Sequence, residues 1–305
     1  MNKIAIAVHG GAGPDSDYVK KHKKEYEQAL TEALNIGYKI LEEGGTALDA
    51  VEDAVIYLED NPLFNAGRGS ALNAKAEVQM DAAIMDGQDK DAGAVCLVKN
   101  VKNPISLARA VMEQTAHAYL GESGAMELAQ QLGLPLMPDA YFVTDHALEQ
   151  WLEAMKQNDK ATQDAVKKNS YGTVGAVAVD KKGNTAAATS TGGTEGKRNG
   201  RIGDTSIIGS GCYADNNTCA VSSTGDGEVI MQHVMAFHVA SLMQYKGLSL
   251  QKACAYLLAE MKKAKGDVGL IAADAKGNIA IEFTSERMHR GYKTPDDLFV
   301  AVYPE

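Results

Sequence analysis

Apolar residues recur along the chain with two periods, one typical of buried strands and one typical of helices. Residues 1–8 enter a first predicted strand directly. Over residues 21–43 the apolar positions are spaced three and four apart, which predicts a helix that ends at Gly44-Gly45. Thr46 then caps a second predicted helix, which ends before Pro62.

The later segments follow the same two periods. The pattern predicts strands over residues 78–85, 93–98 and 174–179, and helices over residues 105–119, 125–131, about 147–155, 227–245 and 248–264. Strands followed by helices in each half indicate an α+β fold, in which antiparallel sheets are covered by helices.

A hidden duplication lies in the second half of the chain. Residues 174–184 match residues 268–278 at an offset of 94 (268 minus 174), and each is an apolar strand closed by a turn that contains glycine. We interpret the pair as two similar hairpins in one sheet, because nothing else indicates a repeat architecture. The first hairpin follows Thr173 and the second follows Asp267.

Charge and composition narrow the possible partners. The formal net charge of −10 provides no basic field for nucleic acid or for anionic lipid, so we expect neither partner. No apolar run approaches the roughly 20 residues of a membrane-spanning helix, and the apolar part of residues 1–8 is too short for a signal peptide. We therefore expect a cytoplasmic protein with a single domain over residues 1–305.

The cysteines are few and scattered, without the C-x-x-C spacing of a zinc or redox site. They are Cys96, Cys212, Cys219 and Cys254. We expect inert thiols rather than a disulfide framework or a metal site, and no cofactor for catalysis.

Thr173 stands where a polar, lysine-rich stretch gives way to the strand over residues 174–179. An unassisted threonine hydroxyl is a weak nucleophile and needs a neighbouring base. If the Gly172-Thr173 bond breaks, the freed α-amine, with an ordinary pKa of about 7.7–8.0, can serve as that base. Taken alone, Thr173 is better explained as a β-branched residue that opens a strand.

Five further motifs accompany this threonine in order along the chain. They are His9-Gly10-Gly11-Ala12-Gly13, Pro62-Leu63-Phe64-Asn65-Ala66-Gly67, Ser190-Thr191-Gly192-Gly193, Gly200-Arg201-Ile202-Gly203-Asp204 and Thr224-Gly225-Asp226-Gly227-Glu228. Together with Thr173 they resemble the plant-type asparaginase/isoaspartyl peptidase family of N-terminal-nucleophile (Ntn) hydrolases, which are threonine peptidases. The resemblance covers nearly the whole chain.

The resemblance implies a four-layer αββα sandwich with two mainly antiparallel sheets. It also implies a precursor that cleaves itself between Gly172 and Thr173. The products are an alpha subunit of residues 1–172, with a flexible linker over about 155–172, and a beta subunit of residues 173–305. The family assembles such subunits as a dimer of alpha-beta heterodimers.

The resemblance also assigns the reacting groups. Thr191 hydrogen-bonds near the Thr173 hydroxyl, and the Thr224 hydroxyl and the Gly225 N–H form the oxyanion hole. From the residues alone, the segment 224–227 is better explained as a threonine cap followed by a glycine turn. Asn65 matches a family asparagine near the scissile bond, although it is also a common turn residue before glycine.

Arg201 and Asp204 suit a substrate that carries both a carboxylate and an ammonium group. Arginine holds a carboxylate with a forked pair of hydrogen bonds, and aspartate accepts from an ammonium. By resemblance these residues, with Thr224, Gly225 and Gly227, bind the aspartyl part of the substrate. A surface ion pair is the alternative for an isolated R-x-x-D pattern.

Relatives also bind a structural sodium ion through backbone oxygens. The matching positions here are Leu58, Glu59, Asn61, Phe64, Ala66 and Arg68. Carbonyl ligands leave almost no trace in side-chain identity, so this expectation rests on the resemblance alone.

The sequence departs from the family pattern at two places. Thr194-Glu195-Gly196-Lys197 replaces a stretch that is similar to Met-Thr-Asn-Lys in most relatives, and Asp226 lies beside the proposed amine site. Both changes are expected to alter which leaving group is preferred.

The resulting hypothesis is an autoproteolytic amidohydrolase that cleaves β-aspartyl (isoaspartyl) dipeptides and L-asparagine and releases L-aspartate. One alternative is a glycosylasparaginase, against which the missing signal segment counts. A second alternative is a glycine-rich binding module that never cleaves itself.

Overall fold

The computed structural model describes residues 3–158 and 172–304. The helices are α1 (Asp17–Lys21), α2 (Lys23–Glu43), α3 (Ala47–Asp60), α4 (Pro104–Gln114), α5 (Glu122–Gln131), α6 (Asp139–Phe142), α7 (Asp145–Asn158), α8 (Gly227–Gln232), α9 (Met235–Lys246) and α10 (Leu250–Lys263). The strands are β1 (Ala5–Gly13), β2 (Met80–Asp86), β3 (Ala92–Val98), β4 (Tyr119–Gly121), β5 (Val174–Val179), β6 (Thr185–Thr191), β7 (Cys212–Ala214), β8 (Cys219–Gly225), β9 (Val268–Asp274), β10 (Ile279–Phe283), β11 (Arg287–Lys293) and β12 (Leu298–Ala301).

The strands form two sheets. One has eight strands in the order β12-β11-β1-β5-β6-β2-β3-β4, and the other has four in the order β10-β9-β8-β7. All pairings are antiparallel except β3 with β4. The predicted α+β class with two mainly antiparallel sheets is confirmed.

Alternate residues of β1 point into two different cores, which explains the layering. Ile6 and Val8 pack with helices α2 to α5 on one face of the large sheet. Ala7 lies on the other face, in a second core that the large sheet shares with the small sheet and with α9 and α10. Because successive side chains of a strand alternate between faces, the large sheet has helices on one side and the small sheet on the other. The order is helices, sheet, sheet, helices, the predicted four-layer sandwich.

The two duplicated hairpins lie in different sheets, so their assignment to one sheet was wrong. The β5–β6 hairpin is central in the large sheet, whereas the β9–β10 hairpin forms one edge of the small sheet. Their turns nevertheless match, because Gly183 and Gly277 both have positive φ and donate to the carbonyls of Asp180 and Asp274. A fully buried strand has the same pattern in either of two facing sheets, so periodicity could not separate them.

Two predicted helices have different bounds in the structure. The helix predicted over 105–119 ends at Gln114, and Tyr119 belongs to β4. The helix predicted over 227–245 is broken at Val234, which has φ 47°. The N–H groups of Ala236 and Phe237 beyond the break donate to carbonyls of Ser210 and Gly209, so the loop before β7 caps the new helix.

Part of the predicted linker can be placed. Residues 155–158 continue helix α7, and residues 159–171 lie outside the described part of the chain. Among the described helices, none is long and apolar enough to cross a membrane.

Candidate active site

Thr173 immediately precedes β5 in the centre of the large sheet and is almost completely buried. Its hydroxyl donates to Thr191 Oγ1 at 3.2 Å. Thr191 ends the neighbouring strand β6, and its hydroxyl oxygen also accepts the N–H of Gly193 at 2.9 Å. The two predicted threonines are therefore in direct contact, as the ends of adjacent antiparallel strands allow.

Two buried side chains fix the turn that follows Thr191. The amide of Asn65 donates to Gly193 O at 2.7 Å, and its oxygen accepts the N–H of Ala71 at 2.7 Å. The ammonium group of Lys197 donates to Gly192 O at 2.8 Å. Asn65 thus supports the turn behind the nucleophile, while its predicted catalytic role stays a prediction.

Lys197 lies in the stretch that departs from the family pattern, but the sequence did not indicate its contact with the turn behind the nucleophile. It is 3% exposed, and burial lowers its pKa to about 8 against the opposing effect of the Asp81 carboxylate. Asp81 lies opposite Thr191 in the β2–β6 ladder, and burial raises its pKa. No sequence pattern indicated this burial, because lysine is rarely buried without partners.

Gly172 packs directly against the first glycine-rich motif. A Cβ atom on Gly172 would lie 2.0 Å from Gly11 Cα, and one on Gly11 would lie 2.4 Å from Gly172 Cα. Gly11 also has φ +112°, in the region that favours glycine. The predicted scissile bond is therefore held against β1 by contacts that only glycines permit.

Thr224 and Gly225 end strand β8 of the small sheet. The Thr224 hydroxyl oxygen accepts the N–H of Ala12 at 3.3 Å, so its own proton can be donated elsewhere. Gly225 has φ +125°, and a Cβ there would lie 2.2 Å from Asp267 O. Asp226 caps α8, since its carboxylate accepts the N–H of Val229 at 3.3 Å.

Arg201 is paired with Glu228 rather than with Asp204. Its Nε and Nη2 donate to the two carboxylate oxygens of Glu228 at 3.0 and 2.8 Å. The Arg201 side chain is 17% exposed, and that of Glu228 is 59% exposed. The exposed R-x-x-D ion pair is therefore not formed, and Glu228 is a second residue that sequence reasoning missed.

Asp204 is a buried carboxylate beside this arginine. Burial raises its pKa to about 7, with Arg201 opposing the shift. Its Oδ2 has no hydrogen-bond partner among the described residues. A Cβ on Gly227 would lie 2.8 Å from Asp204 Oδ1 and 2.9 Å from Arg201 Nη2. Gly227 therefore leaves space between a cation and an anion, as a zwitterionic substrate requires.

The structure brings most of the predicted site residues into one small cleft. Its lining includes Thr173, Thr191, Arg201, Asp204, Gly225 and Gly227, together with Gly193, Thr194, Gly203 and Thr205. Thr224 precedes Gly225 and is buried behind it. Asn65 and Gly172 line a neighbouring cavity instead, together with Glu195. Burial raises the pKa of Glu195 to about 8, and its carboxylate accepts the N–H of Leu72 at 3.2 Å.

The predicted sodium loop folds back on itself after α3. Arg68 N donates to Glu59 O at 2.7 Å, and Phe64 N donates to Asn61 O at 3.3 Å. A Cβ on Gly69 would lie 2.7 Å from Phe64 O, so carbonyl oxygen occupies the space that a side chain would fill. These carbonyls keep a second lone pair, and their chemistry fits a hard cation.

All four cysteines are buried, as expected for inert thiols. Burial raises the pKa of Cys212 to about 12, so this thiol stays protonated near neutral pH.

Comparison with known proteins extends the resemblance to the whole chain. A family model described as asparaginase matches residues 2–302. The chain is 43% identical over 302 residues to the isoaspartyl peptidase/L-asparaginase of Xenopus laevis, covering 99% of this chain and 96% of the relative. It is 46% identical over 293 residues to the Homo sapiens protein of the same name, covering 94% and 92%. It is 43% identical over 299 residues to the isoaspartyl peptidase of Escherichia coli (strain K12), covering 96% and 93%. With the threonine pair and the charged cleft in place, a match of this extent shows that the chain belongs to the asparaginase family.

Proposed function

We propose that this protein hydrolyses β-aspartyl dipeptides and L-asparagine and releases L-aspartate, with Thr173 as the nucleophile. The observation that carries the proposal is the hydrogen bond from the Thr173 hydroxyl to Thr191, in a cleft that also contains Arg201 and Asp204. Relatives of similar length that carry the names isoaspartyl peptidase and L-asparaginase support the same activity.

The active enzyme requires cleavage of the Gly172-Thr173 bond. Hydrolysis consumes one water molecule and produces a carboxylate on Gly172 and an α-amine on Thr173. Before cleavage this nitrogen is an amide and cannot accept a proton. After cleavage its ordinary pKa of about 7.7–8.0 suits proton transfer near neutral pH.

In each turnover the α-amine removes the hydroxyl proton of Thr173, and Oγ1 attacks the side-chain carbonyl carbon of the substrate. The Thr224 hydroxyl and the Gly225 N–H stabilise the negative charge on the carbonyl oxygen. The C–N bond then breaks, and the leaving amine or ammonia takes the proton. Water activated by the α-amine hydrolyses the resulting ester, releases aspartate and restores the hydroxyl.

Recognition of the aspartyl group depends on the charges beside the nucleophile. Arg201 binds the α-carboxylate and Asp204 accepts from the α-ammonium group, since both side chains line the cleft. Gly227 provides the space that this group needs.

The same proposal includes a structural sodium ion and an assembly. The backbone oxygens of the loop over residues 58–68 would hold sodium, which would stabilise the turn that contains Asn65. The mature subunits, residues 1–172 and 173–305, would assemble as a dimer of alpha-beta heterodimers in the cytoplasm.

Steady-state turnover of a β-aspartyl dipeptide, L-asparagine and N-acetylglucosaminyl-asparagine by purified protein tests the function. We expect aspartate release from the first two substrates, and a loss of at least about 10³-fold in kcat for Thr173→Ala. Thr31→Ala is the matched control, because Thr31 lies on α2 and is not part of the cleft lining. Turnover by the Thr173→Ala chain would contradict the mechanism, and cleavage of only the glycosylated substrate would favour the glycosylasparaginase alternative.

A further inference from the structure

His9 lies where strand β1 separates from strand β5. The β1–β5 ladder runs from Ala5 paired with Val179 to His9 paired with Gly175. The pairing of β1 with β11 shifts in register between His9 and Gly11. The Thr173 carbonyl therefore lies just beyond the last residue pair, where β1 no longer supplies a backbone donor.

The His9 side chain replaces the missing backbone donor. Its Nδ1 lies 2.9 Å from the carbonyl oxygen of Thr173. A carbonyl can only accept, so Nδ1 must carry the proton and donate it.

The other ring nitrogen is hydrogen-bonded to a pair of hydroxyls that connects the two sheets. His9 Nε2 lies 2.8 Å from Ser222 Oγ on β8, and Ser222 Oγ lies 2.8 Å from Thr189 Oγ1 on β6. All three side chains are fully buried. With Nδ1 protonated, Nε2 accepts from the Ser222 hydroxyl. The Thr189 hydroxyl has one proton, which it can give either to Ser222 Oγ or to the carbonyl oxygen of Gly211 at 3.2 Å. The Thr173 carbonyl therefore fixes the tautomer, and Ser222 donates to Nε2 and holds the ring in the orientation that this contact requires.

The space for this contact depends on Gly175. A Cβ on Gly175 would lie 2.0 Å from Ser222 Oγ and 2.5 Å from His9 Nε2. Gly175 has no positive φ, so the requirement for glycine here is one of space.

The imidazole is neutral in this position. Burial lowers the pKa of His9 to about 3, with the hydrogen bond to Thr173 opposing the shift. A group with this pKa does not act as a general base near neutral pH, so its contribution is geometric.

We propose that His9 is a positioning residue, whose imidazole, oriented by Ser222, holds the carbonyl of Thr173 and thereby fixes the α-amine and hydroxyl of the mature enzyme. This inference rests on the proposed function. Once the bond to Gly172 is cut, Thr173 is attached to the chain through its carbonyl alone. The His9 hydrogen bond then restrains the only remaining backbone link of the nucleophile.

The proposal predicts an effect on kcat rather than on KM. Misplacing a reacting group by about 1 Å costs on the order of 10²-fold in rate. The residues proposed to bind the substrate, Arg201 and Asp204, line the cleft together with Thr173, and His9 is not part of the described lining. Substrate affinity should therefore be retained.

The test compares His9→Leu, His9→Asn and Ser222→Ala, with kcat and KM expressed per processed subunit as counted by intact mass spectrometry. We expect kcat to fall on the order of 10²-fold in His9→Leu with KM within twofold of wild type. Asparagine keeps a short side-chain donor, so kcat of His9→Asn should be at least about tenfold higher than kcat of His9→Leu. The two variants should have the same thermal midpoint, so that the difference in kcat does not come from stability. Ser222→Ala should lose about tenfold in kcat, because Nε2 loses the hydroxyl that donates to it and the ring is held less firmly.

Ser223→Ala is the matched control. Ser223 is the next residue of β8 and equally buried, and its hydroxyl has no hydrogen-bond partner among the described residues. We expect kcat of this variant within twofold of wild type.

The inference is overturned if processed His9→Leu has the kcat of wild type, or if His9→Leu and His9→Asn lose kcat equally. In both cases the proposed function stands, provided that the wild-type protein is active. If His9→Leu yields no processed subunit, Ser222→Ala decides, since it keeps the ring. If Ser222→Ala has the same kcat as wild type, the inference is overturned. If Ser222→Ala loses kcat and keeps KM, the inference is supported. An inactive wild type would instead refute the proposed function.

Discussion

Asp204 combines two opposing demands in one side chain. To accept from a substrate ammonium it must be ionised, yet burial raises its pKa to about 7. A carboxyl whose folded-state pKa is raised contributes most stability below its unfolded pKa, near 4, and loses that contribution as the pH rises through about 7. The ionised form of Asp204 is therefore expected to bind substrate, whereas the protonated form gives the higher unfolding free energy.

Asp204→Asn should accordingly raise KM at pH 8 by at least about tenfold, because one charge-assisted hydrogen bond is lost. The same variant should raise the thermal midpoint by a few degrees at pH 8, and by less at pH 5. Steady-state kinetics and calorimetry measure the two effects. Asp89→Asn, at an exposed position, is the control. Unchanged KM at pH 8 would remove Asp204 from the substrate site.

Glu228 determines how Arg201 presents its remaining donors. Because Nε and Nη2 are committed to Glu228, the remaining N–H groups are available for a substrate carboxylate. Glu228→Gln weakens this fork, so we expect KM to rise about three- to tenfold with kcat within twofold. Glu153→Gln, on the exposed face of α7, should change neither constant. A lower KM in Glu228→Gln would mean that Glu228 competes with the substrate.

The sequence predicted those site residues whose chemistry is visible in residue type and motif. Thr173 stands at the start of a predicted strand, Thr191 precedes two glycines, and Arg201 and Asp204 are three positions apart. The roles of the missed residues depend on distances between remote segments. Lys197 donates to Gln79 O, 118 residues away, and no local pattern encodes such a contact.

At the scale of elements, periodicity predicted most helices and strands but not their partners. The apolar pattern of residues 227–245 continues through Val234, where the backbone changes direction. The cause is a pair of hydrogen bonds to Gly209 and Ser210 in another segment. The division of the two hairpins between sheets has a similar origin, since it depends on which strand each one meets.

The end of β8 tests how tightly these elements are joined. Gly225→Ala would place a Cβ 2.2 Å from Asp267 O and force a positive φ, whereas Gly44→Ala forces a positive φ with open space around the Cβ. We expect Gly44→Ala to cost about 1 kcal/mol in unfolding free energy. Gly225→Ala should cost at least about 1 kcal/mol more and reduce turnover at least tenfold. If urea titrations show the same loss of unfolding free energy for Gly225→Ala and Gly44→Ala, the backbone near Asp267 can move to accommodate the added Cβ atom.

At the scale of the whole molecule, small side chains allow the two sheets to pack closely. The side chains of the large sheet that face the small sheet include Ala7, Ala83 and Ala187. Those that face the helices are larger and include Ile6, Ile84 and Val174. The αββα order itself came from the family resemblance, because alternation alone does not say what covers each face.

Buried titratable groups also predict the pH dependence of overall stability. Burial raises the pKa of Glu59 and Glu195 to about 8 and of Asp204 to about 7, and it also raises the pKa of Asp81. Burial lowers the pKa of the Lys197 ammonium group to about 8. It lowers the pKa of three histidines, His9 to about 3, His146 to about 4 and His289 well below 6.5. Near pH 5 to 6 the folded carboxyls and the unfolded histidines both hold protons, so their effects on the unfolding free energy oppose each other and stability should change less with pH than it does above pH 7.

Above about pH 6.5 the unfolded histidines release their protons while the folded carboxyls still hold theirs. The unfolding free energy should therefore fall from pH 7 to 8. Urea titration of the Thr173→Ala chain measures this unfolding free energy. This variant is expected to remain uncleaved, so dissociation of two subunits does not contribute to its unfolding. A rise in stability over that interval would show that these carboxyls are ionised in the fold.

The most direct test of the central claim is intact mass spectrometry of the purified wild-type protein during incubation, with N-terminal sequencing of each product. The account predicts conversion to two chains, residues 1–172 and 173–305, with threonine at the new N-terminus and aspartate release that grows with the processed fraction. A single chain that persists, or cleavage at another bond with full activity, would contradict it.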